Sequence, residues 1–154
     1  MKLAISADHR GVGATRQLAD RLRSQGHDVQ LVGQLSGETC DYPDPAYAVG
    51  KAVAGGQVQL GVLLCGSGIG MCIAANKVKG VRAALVHDEL TAEMSRSHND
   101  ANVLCLSADL LGQRLIEKIV DIWMATPFQG GRHDRRVRKI SAIEDGKDPT
   151  SIGT

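Results

Sequence analysis

LGVLLCGSGIGMCIAANK, residues 60–77, carries an apolar run through Cys65 into a glycine-rich turn and then a helix-period segment. Gly66, Gly68 and Gly70 leave little side chain between the backbone N–H groups and whatever lies above the turn. Such a turn ahead of a helix start is a ready-made anion site. A thiol at its lip sets a polarisable base or nucleophile beside stabilised negative charge, which points to chemistry rather than to ligand capture alone.

Outward from this stretch, strand-like runs alternate with helix-period segments. Strands are expected at residues 3–7, 29–32, 61–64, 81–86 and 103–106, and helices at 14–25, 44–54, 69–77, 90–97, 110–124 and 132–143. Leu18, Ala19 and Leu22 share one helix face before a stop at Gly26, and Asp44-Pro45 starts the second helix after a Gly-, Asp- and Pro-rich loop at 33–45. The 110–124 helix shows Leu111, Leu115, Ile119 and Ile122 as its apolar side. Strands separated by helices imply βαβ crossovers. The expected fold is α/β: a three-layer αβα sandwich with a Rossmann-like, five-stranded parallel sheet and an extended C-terminal helix. Ligands bind such sheets outside the carboxyl ends of the strands. Asp8-His9, Cys65 with its glycines, and His87-Asp88 all fall there.

The chain of 154 residues suits one domain, expected over 1–145, with a polar, flexible tail at 146–154. Charged residues at 23% and apolar residues at 43% are ordinary for a globular protein, and a net charge of +1 gives no reason to invoke nucleic acid or a membrane surface. The N-terminus lacks the apolar run of a secretory signal, and no segment approaches the ~20 apolar residues of a membrane span. Cys40, Cys65, Cys72 and Cys105 form no CxxC pair, so free thiols in a cytoplasmic setting are expected, with Cys72 and Cys105 in the core and Cys40 in a loop.

Each motif has two readings. A cysteine closing a central strand is commonly a small apolar filler; followed by GSGIG, it sits at a helix N-terminus, a setting that favours thiolate. A phosphate-transfer loop would end in Gly-Lys-Ser/Thr where this one continues Gly70-Met71-Cys72, a Cys-x5-Arg phosphatase would need arginine at Met71, and the spacing of Gly66, Gly68 and Gly70 misses GxGxxG, although Asp88 lies where a dinucleotide fold places its acid. His98-Asn99-Asp100 reads either as a helix C-cap or as a functional cluster. Arg132 and Arg136, four apart, either belong to a solvated face or clamp one phosphate. His87, Asp88, His98 and Asp100 lack the tight spacing of a metal site, and none is expected.

Together these residues resemble the ribose-5-phosphate isomerase type B family and its relatives, the galactose-6-phosphate and allose-6-phosphate isomerases. The resemblance runs through ADHRG (7–11), DYPD (41–44), CGSGIG (65–70), IAANK (73–77), SRSHNDANVL (95–104) and GGRHDRRV (130–137). It implies aldose–ketose interconversion of a sugar phosphate, foremost ribose 5-phosphate to ribulose 5-phosphate, through an enediolate and without metal or organic cofactor. Cys65 would be the base. Relatives lacking that cysteine carry glutamate at the position of Met71, which sets this chain in the cysteine-using branch. His98 would open the sugar ring with help from Asp8, and Ser67 would assist proton movement between O1 and O2. The amides of Gly66, Ser67, Gly68, Ile69 and Gly70 would hold the enediolate oxygens, His9, Arg132 and Arg136 the phosphate, Asn99 a sugar hydroxyl, and Tyr42 would line the pocket. The implied assembly is a homodimer with shared sites, with pairing into tetramers left open. Many relatives place an arginine in a Gly-x-Arg segment after the fifth strand; here the stretch reads Ser107-Ala108-Asp109, so another arginine substitutes or the preferred substrate differs. Isomerisation of allose, galactose or tetrose phosphates, and a non-catalytic sugar-phosphate or nucleotide binding module, are the competing readings.

Overall fold

The computed structural model describes residues 1–33 and 35–153; Gln34 of the 33–45 loop and Thr154 of the tail lie outside the described residues. Strands β1 (Lys2–Ala7), β2 (Asp28–Leu31), β3 (Leu60–Cys65), β4 (Ala83–Leu85) and β5 (Val103–Ser107) pair in the order β2-β1-β3-β5-β4. Every neighbouring pair is parallel. Helices α1 (Val12–Ser24), α2 (Pro43–Ala54), α3 (Ile69–Ala75), α4 (Glu89–Ser97), α5 (Gln113–Ala125) and α6 (Arg132–Glu144) follow in chain order. Among the described residues, no helix is long and apolar enough to cross a membrane.

Side-chain alternation along the central strands makes two cores, one on each face of the sheet. Leu3 and Ile5 of β1, Val62 and Leu64 of β3, and Leu104 and Leu106 of β5 pack with Leu18 and Leu22 of α1 and Ile116 and Trp123 of α5. Ala4, Leu63, Cys65, Val103 and Cys105 point the other way, toward Ala46 and Val49 of α2 and Met71 and Ala75 of α3. The strands read as continuous apolar runs because both of their faces are covered.

The expected elements are all present, with β4 shortened from 81–86 to Ala83–Leu85. The buried side of α5 is Ile116, Ile119, Val120 and Trp123, so of Leu111, Leu115, Ile119 and Ile122 only Ile119 is in the deep core, and Leu115 is 37% exposed. Both stripes satisfy helical spacing; the helix turns toward the one that buries the indole, the larger apolar surface. Helix α3 stops at Ala75 because the Asn76 side chain pairs with the edge strand, donating to the Ala83 carbonyl and accepting from the Ala83 N–H, each at 2.9 Å. The tail carries a 3-10 turn at Pro149–Ser151, capped by Asp148 accepting from Thr150 N–H at 2.8 Å.

The chain leaves β1 toward β2 on one side and reaches β3 on the other, so the strand order reverses between β1 and β3. A crevice opens at such a switch point, outside the carboxyl ends of the strands. Asp8 follows β1 directly and Cys65 ends β3, and the Asp8 N–H donates to the Leu64 carbonyl at 3.1 Å, tying the two ends together.

Candidate active site

Asp8, Arg10, Tyr42, Cys65, Gly66, Ser67, Ile69, Gly70 and Ile73 line a shallow cavity of about 490 Å³ over this switch point. Cys65 forms its floor and is 4% exposed. Its Sγ accepts a hydrogen bond from the Gly68 N–H at 3.0 Å. The turn that brings that amide back requires glycine: Gly68 has φ +79°, and a Cβ there would lie 2.5 Å from Leu85 Cδ1 and 3.1 Å from the Leu106 carbonyl oxygen. At Gly70 the missing Cβ lets the exposed Tyr42 ring close on the turn, where a Cβ would meet that ring at 2.6 Å.

The structure divides the amides expected to hold an oxyanion. The Gly68 N–H is committed to sulfur, and the Ile69 N–H donates to Ser67 Oγ at 3.3 Å. Both amides are thus engaged within the turn in this structure. Among the described residues, no acceptor engages the N–H of Ser67 or of Gly70, and both residues line the cavity. With Ser67 Oγ already accepting from Ile69, its hydroxyl proton is left to donate into the cavity. Asp8 is buried, and its Oδ1 accepts from the Arg10 N–H at 2.9 Å. His9 is exposed on the same turn, outside the cavity lining.

His98, Asn99, Arg132 and Arg136 are elsewhere. Helix α4 begins beside the carboxyl ends of the strands and runs back toward their amino ends; nine residues carry the chain about 13 Å. His98 caps that helix at the far end of the sheet from Cys65. There it stacks on His133 of α6, ring centroids 4.2 Å apart and planes 2° from parallel. Arg132 Nε donates to His133 Nε2 at 3.3 Å. Burial first, then the charges of His98, Arg132 and Arg136, hold His133 below the ordinary imidazole value. Among the described residues no carboxylate pairs with Arg132 or Arg136, which leaves both guanidinium groups available to an anion. Asn99 instead lines a second cavity, of about 420 Å³, with Arg82, Ile140 and Ile143.

His133 and Arg10 come to stand beside the expected residues without a sequence pattern that singles them out. Nothing local marks His133 within a charge-rich helix; its neighbour on the ring face lies in another element. Arg10 stands in ADHRG, but its partner Asp109 is 99 residues away. The other polar groups serve structure. Asp88 caps α4, accepting from the Thr91 N–H at 2.7 Å, and Asp100 accepts from Arg82 and Arg96. Cys72 is half-buried rather than core, and hydrogen bonding from Cys105 first, with Leu85 and Asn76 also contributing, brings its thiol down to about 7 against opposing burial. Among the described residues no group of three or more His, Cys, Asp or Glu could hold a metal ion.

Residues 3–140 match the Ribose/Galactose Isomerase family. The chain is 42% identical over 147 residues to ribose-5-phosphate isomerase B of Escherichia coli, covering 96% of this chain and 99% of that one. It is 39% identical over 145 residues to D-erythrulose-4-phosphate isomerase of Pectobacterium atrosepticum, covering 94% of this chain and 95% of the other. The structure of ribose-5-phosphate isomerase B from Clostridium thermocellum superposes with a TM-score of 0.93 at 45% identity, covering 95% of this chain and 99% of that chain. A thiol held against a glycine turn at the sheet's switch point and a match along nearly the whole length lead to one conclusion: the chain belongs to the ribose/galactose isomerase family.

Proposed function

We propose that the protein interconverts ribose 5-phosphate and ribulose 5-phosphate through an enediolate, with Cys65 as the base. The observation that carries this reading is the floor of the β1/β3 cavity: Cys65 Sγ accepting from Gly68 N–H at 3.0 Å, beside the unengaged amides of Ser67 and Gly70. The thiolate removes the proton from C2 and the same sulfur returns it to C1. Negative charge moves onto O1 and O2, where fixed backbone donors can each contribute ~2.7–4 kcal/mol. The Ser67 hydroxyl shuttles the proton between the two oxygens. His98 and Asp8 open the ring form, Asn99 holds a hydroxyl, Tyr42 walls the cavity, and His9, Arg132 and Arg136 take the phosphate. The oxidation of one carbon balances the reduction of its neighbour, so this scheme uses no metal or organic cofactor. Four free cysteines accord with a reducing, cytoplasmic compartment.

His98, Asn99, Arg132 and Arg136 reach Cys65 only from a second copy of the chain. A two-fold dimer that sets the carboxyl end of one sheet against the amino end of the other would complete two equivalent sites. Exposed Ile69 and Ile73 beside the cavity, and Ile140 and Ile143 beside Asn99, offer apolar surface for such a contact.

Incubation with ribose 5-phosphate in D₂O tests the reading. Ribulose 5-phosphate should form, with deuterium entering the exchanging carbon; tight binding without exchange would favour a binding module instead. The similarity to the D-erythrulose-4-phosphate isomerase makes a tetrose phosphate the second substrate to try. A panel of ribose, allose, galactose and erythrulose phosphates ranks them by kcat/KM.

A further inference from the structure

We infer that Arg10, held by Asp109, is a further substrate-binding residue that takes the phosphate group at the rim of the Cys65 cavity. The inference rests on the isomerase reading above. Arg10 is the one cation among the residues lining that cavity. It is fixed at both ends. Its N–H donates to Asp8 Oδ1 at 2.9 Å, and its Nε donates to Asp109 Oδ2 at 2.7 Å. Asp109 is itself anchored, its N–H donating to the Gly66 carbonyl at 3.2 Å. The pair closes over the residue that follows the thiol: a Cβ on Gly66 would lie 2.9 Å from Asp109 Oδ2 and 3.1 Å from Arg10 Cδ.

Stability is a poor account of this contact. The two side chains are 55% and 39% exposed, and an ion pair so open to water contributes little to folding. Recognition is a better one. Asp109 occupies Nε alone, and among the described residues no acceptor engages the two terminal nitrogens, so the outer end of the guanidinium keeps the paired donors that match phosphate oxygens. The burial gradient orders the substrate. Cys65 on the floor, 4% exposed, suits the carbon that loses a proton, while a half-exposed cation at the rim suits the group that stays charged and hydrated. Asp109 cannot bind an anion itself; it acts as a positioning residue by directing Arg10.

The test compares the full-length wild type with Arg10→Ala, Arg10→Lys and Asp109→Ala. Calorimetry with inorganic phosphate is run beside kinetics with ribose 5-phosphate, and melting curves confirm folding. Arg10→Ala should raise both the phosphate dissociation constant and KM by about tenfold or more, with a smaller fall in kcat. Arg10→Lys should recover part of that affinity, as a point charge without the fork. Asp109→Ala should raise the phosphate constant by less than Arg10→Ala does, and a fall would overturn its positioning role. Phosphate affinity equal in wild type and Arg10→Ala, no phosphate binding by the wild type, or a fall in kcat at unchanged KM would overturn the inference. Loss of phosphate binding in Arg10→Ala, from a wild type that exchanges no deuterium with any sugar phosphate, would sink the isomerase reading and leave Arg10 as an anion-binding residue.

Discussion

His98 and His133 lie ring on ring at 4.2 Å, within 2° of parallel, one at the end of α4 and the other in the first turn of α6. This contact, rather than sequence proximity, joins the His98-Asn99 turn to the arginines of α6. It also places an imidazole that resists protonation against the one proposed to open the sugar ring.

The pair makes stability depend on pH in a definite direction. Because burial and neighbouring positive charge lower the folded value of His133, the unfolded chain takes up a proton first as pH falls. The contribution is present above the ordinary imidazole value and is lost as pH falls through the folded one. Melting temperatures of the wild type should therefore drop more between pH 7.5 and 5 than those of His133→Gln. Parallel curves for the two would contradict the lowered value.

Asp100 follows that turn with φ +47°, a left-handed backbone, and accepts from Arg82 Nη2 at 2.8 Å and Arg96 Nη1 at 2.9 Å. Asp100→Ala keeps the unfavourable backbone and takes the carboxylate from two partly buried guanidinium groups, which retain only their bonds to the Asp100 and Ala101 carbonyls, so it should cost about 2 kcal/mol in urea unfolding. Asp100→Asn, which tolerates the left-handed region and retains an acceptor, should cost less. An alanine variant as stable as wild type would mean the network is not holding the turn.

Gly70→Ala separates stability from binding. Alanine improves helix propensity by ~1 kcal/mol, while the new Cβ, 2.6 Å from the Tyr42 ring, forces that exposed ring to move. The melting temperature should hold or rise while KM for ribose 5-phosphate increases on the order of tenfold. Unchanged KM would remove Tyr42 from the cavity wall.

Cys65→Ala should lower kcat by roughly 10²–10⁴-fold and leave phosphate binding intact. His98→Ala should also be inactive on the ring form. Refolding the two variants together should restore about a quarter of wild-type activity, because half of the dimers are mixed and each carries one unmutated site. Mixtures as inactive as their parents would refute sharing of the site between subunits.

The α/β architecture was legible because parallel strands covered on both faces leave unbroken apolar runs, and helices leave a period that survives without partners. Cys65 and its glycines were legible for a related reason: a turn's chemistry is local, held in six consecutive residues, CGSGIG. The rotation of α5 was not, since two apolar stripes fit its spacing and only the volume beneath Trp123 chooses between them.

By itself, the sequence determined the element order, the thiol turn and the family to which the chain belongs. Only the tertiary structure decided that β1 and β3 adjoin at the crevice, that Gly68 and Ile69 use their amides internally, and that His98 stands at the opposite end of the sheet from Cys65. It alone paired Arg10 with Asp109. Local structure follows from neighbours a few residues apart, whereas strand order, spent donors and distant ion pairs depend on where crossovers bring remote segments together.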